Sequence, residues 1–205
     1  MGSLQGTARL AGTACAFALG LAATPAAAQE GGRFGQRDAF VLSVERIVGF
    51  QNQKFDEDGG SVDSTGLQPV YWGSLGLFSM SSSGLNFGAL FGVTRLDLDQ
   101  GFFGDPDGLE VTLVQLRPRI GYAGTEKEGR FGYWVRGGPT LVYAHSEDND
   151  SQAFAAGFEA YAVFFPAPRI GVMLGPHAEF HLAGSGDGDP YYKSTGLTAG
   201  IMGEF

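Results

Sequence analysis

Period-two alternation of apolar and polar residues constrains this chain most. Beyond the N-terminal segment no stretch approaches the ~20 apolar residues that a membrane-crossing helix needs. In its place, eight segments alternate apolar with polar or glycine residues, near 38–50, 69–79, 84–96, 110–122, 130–144, 152–165, 169–182 and 191–205. The sixth shows the pattern well, with Phe154, Ala156, Phe158, Ala160, Ala162 and Phe164 against Ala155, Gly157, Glu159 and Tyr161. The third and seventh agree, with Leu85, Phe87 and Phe91 on one face and Ile170, Val172 and Leu174 on another. Period two places successive side chains on opposite faces of a strand.

Composition decides what those faces meet. The chain carries 34 Gly and 17 Phe but only 17% charged residues, against ~25% in ordinary soluble domains. A closed sheet with apolar residues toward lipid and small or polar residues toward a narrow interior suits that balance. A closed barrel also pairs every backbone group, as crossing lipid demands. The fold expected is therefore all-β: an eight-stranded antiparallel up-and-down transmembrane β-barrel over 38–205. The net charge of −9 argues against nucleic acid, whose phosphates require clustered Lys and Arg.

The N-terminus reads as an export signal. Arg9 precedes an apolar stretch from Leu10 to Ala23, and Ala26-Ala27-Ala28 offers a small-x-small cleavage site before Gln29. Residues 1–28 are the expected signal peptide and 29–37 a polar, Gly-rich periplasmic lead-in. Cys15 lies inside the signal, and Gly12 stands where a lipoprotein would carry a larger apolar residue. The mature chain then has no thiol chemistry.

The connections alternate in length and charge. Those at 51–68, 97–109, 145–151 and 183–190 are longer on average and carry most of the 22 acidic residues. Those at 80–83, 123–129 and 166–168 are short. Outer-membrane barrels have short periplasmic turns and longer outer loops, so the acidic set is expected outside.

The chain ends with Leu197, Ala199, Ile201, Gly203 and Phe205 at alternate positions. This run is similar to the terminal-strand signal of outer-membrane proteins. With the export signal and eight strands, residues 38–205 resemble the small eight-stranded barrels of the outer membrane protein A and X type. The resemblance implies a Gram-negative outer-membrane location and contact with outer-membrane lipid and lipopolysaccharide. It also implies that the barrel-assembly machinery recognises the last strand. It names no surface ligand and implies no cofactor.

Alternation places Glu45, Arg117, Arg119, Arg136, Glu159 and Glu179 on the inward face, near Gln115 and His177. Three acids then balance three bases in an interior just wide enough for side chains to fill. A structural plug of salt bridges is the expected outcome, with a narrow ion path as the alternative. Glu45 and Arg46 are adjacent, so strict alternation turns one charge toward lipid; Arg46 is expected near a headgroup zone or beside a bulge.

Other chemistry is weaker. His177, Glu179 and His181 share one face of a strand but lack the spacing of the helical zinc motif. A lipid A-modifying enzyme is the second alternative, yet His145-Ser146-Glu147 are consecutive and diverge on extended backbone. No Gly-x-Ser-x-Gly elbow occurs. Asp105-Pro106-Asp107-Gly108 lacks the bidentate Glu of an EF-hand. Phe102-Phe103 reads as an interfacial anchor. The function expected is a non-enzymatic barrel with a structural or adhesion-like surface role and no catalytic, metal or cofactor residues.

Overall fold

The computed structural model describes residues 34–36, 38–57, 60–68, 73–98, 109–126, 129–145, 150–185 and 190–205. The signal segment, most of the lead-in, Phe102-Phe103, the run at 105–108 and Ser146-Glu147 lie outside the described residues.

Nine antiparallel strands are described: β1 (Ala39–Glu57), β2 (Gly60–Gln68), β3 (Ser74–Met80), β4 (Leu85–Leu98), β5 (Leu109–Thr125), β6 (Phe131–His145), β7 (Asp150–Ala167), β8 (Ile170–Ser185) and β9 (Tyr191–Glu204). They make eight staves, because β2 and β3 share one. The lower half of β1 pairs with β3, from Ala39↔Met80 to Glu45↔Ser74. Its upper half pairs with β2, from Gly49↔Gln68 to Glu57↔Gly60. Each later strand pairs with the next, and β1 pairs with β9 to close the barrel.

The strand limits correct the expected connections. Residues 51–68 are not one long loop: β1 continues to Glu57 and returns as β2. Gln51, Asn52, Gln53 and Lys54 read as loop because they lack apolar alternation. A strand that runs past the lipid has no apolar face to show, and polar residues there still pair their backbones. Within the second expected segment, the pairing of β3 with β1 runs from Ser74 to Met80 among the described residues. Asp97, Glu110 and Asp150 sit on strand ends.

The two faces differ sharply. Outside, Phe40, Leu77, Phe87, Ile120, Phe158, Leu174 and Leu197 are each at least half exposed, and Phe131 on β6 adds to the same surface. Soluble monomers rarely expose apolar patches beyond a few hundred Å², so this belt is built for hydrocarbon. On β8 the alternation is nearly unbroken, with exposed Ile170, Val172 and Leu174 against buried Gly171, Met173 and Gly175.

The interior is layered. At the short-turn end an apolar cluster joins Val41, Phe78, Met80, Leu90, Trp134, Tyr161, Met173 and Met202. Phe34 enters this cluster from the lead-in, its ring 5.8 Å from that of Trp134 and 5.3 Å from that of Phe165. Gly35 permits the approach: its φ is +73°, and a Cβ there would lie 2.3 Å from the Ala123 carbonyl oxygen. At the long-hairpin end a second cluster joins Leu113, Val142, Ala144, Ala153, Ala155 and Tyr192. Between the two lies a polar layer.

Candidate functional site: the charged layer inside the barrel

Strand parity builds the polar layer. Glu45 on β1, Arg117 and Arg119 on β5, Arg136 on β6, Glu159 on β7 and Glu179 on β8 all point inward and are almost wholly buried. Arg136 and Glu159 are cross-strand neighbours, with Nε 2.5 Å from Oε2. The other end of the same guanidinium donates from Nη2 to Glu45 Oε2. Its Cζ lies over three aromatic rings, 4.4 Å from the centroid of Trp134, 4.7 Å from that of Phe78 and 5.2 Å from that of Tyr161. Cation–π contact of this kind strengthens once water is excluded. The lower apolar cluster and the charged layer thus meet through one side chain.

Glu179 is the other hub. Its Oε1 lies 2.9 Å from Arg117 Nε and 3.1 Å from Arg119 Nη2. It also accepts from Thr140 Oγ1 at 2.9 Å, while Tyr192 donates to Oε2 at 2.9 Å. Arg117 reaches back to Ser74 Oγ at 2.8 Å and to Gln115. Ser43 donates to Glu45 Oε1 at 2.6 Å.

Arg46 is the residue that alternation misplaced. It lies at an irregularity in the β1–β9 register between Val44 and Val48, with φ of 57°. That bulge turns both Glu45 and Arg46 inward and restores outward parity at Val48. The site is beside a bulge and not at a headgroup zone. Arg46 donates from Nη2 to Glu159 Oε1 and from Nη1 to Glu179 Oε2, each at 3.2 Å. An Arg facing lipid near the midplane costs ~2–4 kcal/mol, whereas a non-glycine residue in the left-handed region costs about 1–3 kcal/mol. The inward turn also gains two carboxylate partners, so the bulge prevails. The layer therefore sets four guanidinium groups, Arg46, Arg117, Arg119 and Arg136, against Glu45, Glu159 and Glu179, and not three against three. The adjacent Glu45-Arg46 pair was the sequence signal for the bulge; the partners Ser43, Ser74, Thr140, Tyr161 and Tyr192 carried none.

The remaining candidates are dispersed. His177 shares Ser194 through Nε2···Oγ at 3.0 Å. His181 lies further out against the Tyr191 ring, 4.9 Å between centroids, and its Nδ1 accepts from the Tyr192 backbone N–H. Among the described residues no three His, Cys, Asp or Glu side chains group to hold a metal. His145 Nδ1 lies 2.6 Å from Asp150 Oδ1 in an exposed pair. On β9, Leu197 and Ile201 face outward, and Phe205 exchanges backbone hydrogen bonds with Phe40 at 2.9 and 3.1 Å beside the closing seam.

Fold and surface together define the class: a closed eight-stranded barrel of the outer-membrane type, with a lipid-facing exterior and a filled interior. Among solved structures the chain is similar to Neisserial surface protein A, at 12% identity over 81% of this chain and 97% of that one, with a TM-score of 0.57. Ail, the attachment invasion locus protein of Yersinia pestis, solved with the heparin analogue sucrose octasulfate, aligns at 15% identity over 81% and 99%, with a TM-score of 0.48. A major outer membrane protein of Thermus thermophilus aligns at 11% identity over 81% and 99%, with a TM-score of 0.42. The likeness to Neisserial surface protein A is one of fold. No family model matches the sequence, and no curated protein matches it significantly.

Proposed function

We propose that this protein is an exported, integral outer-membrane barrel that works at the cell surface in a structural or adhesion-like role, without catalysis. The lumen is a plug. One observation carries this reading: the charged layer is shut between two apolar layers, with Phe78, Trp134 and Tyr161 on one side of Arg136 and Leu113, Val142 and Ala153 on the far side. Ion paths need continuous polar or hydrated lining, and these layers interrupt it. What remains for contact with other molecules is the end bearing the long acidic hairpins, placed outside the cell. Residues Leu197, Ala199, Ile201, Gly203 and Phe205 act as the assembly signal, with Phe205 bonded to the first strand where the barrel closes.

The test is surface display of the full chain in a host that lacks it, beside a variant whose hairpins at 56–61 and 146–149 are shortened. Heat-modifiable gel mobility verifies that both barrels fold. The reading expects adhesion to host cells or matrix above an empty-vector control, lost in the shortened variant. Adhesion equal to that control, or lipid A altered in mass, contradicts it.

A further inference from the structure

Pro118 on β5 and Pro139 on β6 stand opposite one another in the barrel wall. The β5–β6 ladder runs from Thr112↔His145 to Leu116↔Leu141 and resumes in the same register at Ile120↔Gly137. The three positions between form no ladder, and the prolines are at their centre. Antiparallel neighbours exchange two N–H···O bonds at alternate pairs. Where both members of such a pair are proline, neither N–H exists, both bonds vanish and two carbonyls are left over. The exposed side chains of Leu116, Ile120 and Leu141 put this level inside the apolar belt, where no water reaches a leftover carbonyl.

Arg119 supplies the missing donors. Its Nη1 lies 3.1 Å from the Pro118 carbonyl oxygen and 2.5 Å from that of Pro139. Its Nη2 is held from the lumen side by Thr140 Oγ1 at 3.0 Å and Glu179 Oε1 at 3.1 Å. Gly157 leaves room for the guanidinium and Gly138 for the Pro118 carbonyl. A Cβ at Gly157 would lie 2.3 Å from Arg119 Nη2, and one at Gly138 would lie 2.3 Å from the Pro118 oxygen.

We infer that Arg119 is the latch of a lateral seam between β5 and β6, where a side chain replaces the backbone ladder and where the wall parts first. Opening there breaks no ladder bond at the proline pair. It turns the charged layer sideways toward the membrane rather than along the barrel axis. The inference is independent of the surface role, because it concerns the wall and not the outer hairpins.

Amide hydrogen exchange of the full-length folded barrel in nanodiscs tests the seam. Arg119→Met is compared with Arg117→Met, which also removes a partner of Glu179 but touches neither carbonyl. The seam expects β5 and β6 amides around residues 114–122 and 135–143 to exchange about tenfold faster in Arg119→Met than in Arg117→Met, with β8–β9 amides alike in both. The double substitution Pro118→Ala/Pro139→Ala keeps every charge and restores both N–H donors. It should slow the same amides about tenfold relative to the natural chain, even if Arg119→Met fails to fold. Exchange spread evenly around the barrel in Arg119→Met, or no slowing in the proline variant, overturns the inference.

Discussion

Arg136 Nε sits 2.5 Å from Glu159 Oε2, between neighbouring strands and under the faces of three aromatic rings. Neither side chain meets water, so each charge depends on the other. Breaking a buried pair from one side costs ~3–5 kcal/mol, because the remaining ion is stranded. Arg136→Met should lose about that much stability in urea titrations followed by gel mobility. Arg130→Met, at the exposed short-turn rim, should change little. A near-neutral Arg136→Met means that water already reaches Glu159.

Arg46 and Glu159 are joined across the barrel at 3.2 Å. A double-mutant cycle with Arg46→Met and Glu159→Gln should give a coupling energy of about 0.5–3 kcal/mol, the range for residues in one network. Strict additivity would place the Arg46 side chain outside the lumen.

Phe34 closes the short-turn mouth against Trp134 and Phe165. Phe34→Ala should destabilise the barrel by ~3 kcal/mol, as truncation of a buried ring does. Trp134 emission should shift to the red as water enters the cluster. Unchanged emission and stability would show that the lead-in does not seal the mouth.

At the long-hairpin end, the Asp150 carboxyl is held below its ordinary value by the hydrogen bond from His145 and then by that from Tyr143. A carboxyl depressed in the folded state adds stability above its unfolded pKa and loses it as pH falls through the folded value. The contribution of the His145–Asp150 pair is therefore lost as pH falls below about 4. Carbon-13 NMR titration should place the Asp150 midpoint below that of an ordinary aspartate, returning toward it in His145→Ala. An unchanged midpoint in His145→Ala removes the pair as the cause.

Most of the barrel is legible in the sequence, for a physical reason. Lipid imposes period two on every stave, so Phe154, Phe158 and Phe164 announce one face while Glu159 announces the other. The same parity puts Arg117, Arg119 and Arg136 on one interior surface. What alternation cannot carry is anything that breaks it or crosses strands. Arg46 turned inward through a bulge, where four steps along β1 from Val44 to Val48 face two along β9 and local alternation fails. The β1–β2 extension looked like loop, because beyond lipid neither face need be apolar. Opposition of Pro118 and Pro139 depends on a register between strands that neither strand records alone. Phe34 lay in a Gly-rich lead-in that showed no period at all.

The central claim is that the interior is shut, and steady-state conductance of the purified full-length barrel in planar lipid bilayers measures it most directly. The charged layer between its two apolar layers predicts no stable open level for the natural chain, with at most brief flickers. Long-lived single-channel currents, with a reversal potential that shifts when Arg136 or Glu159 is neutralised, would show that ions pass through that layer and would contradict the account.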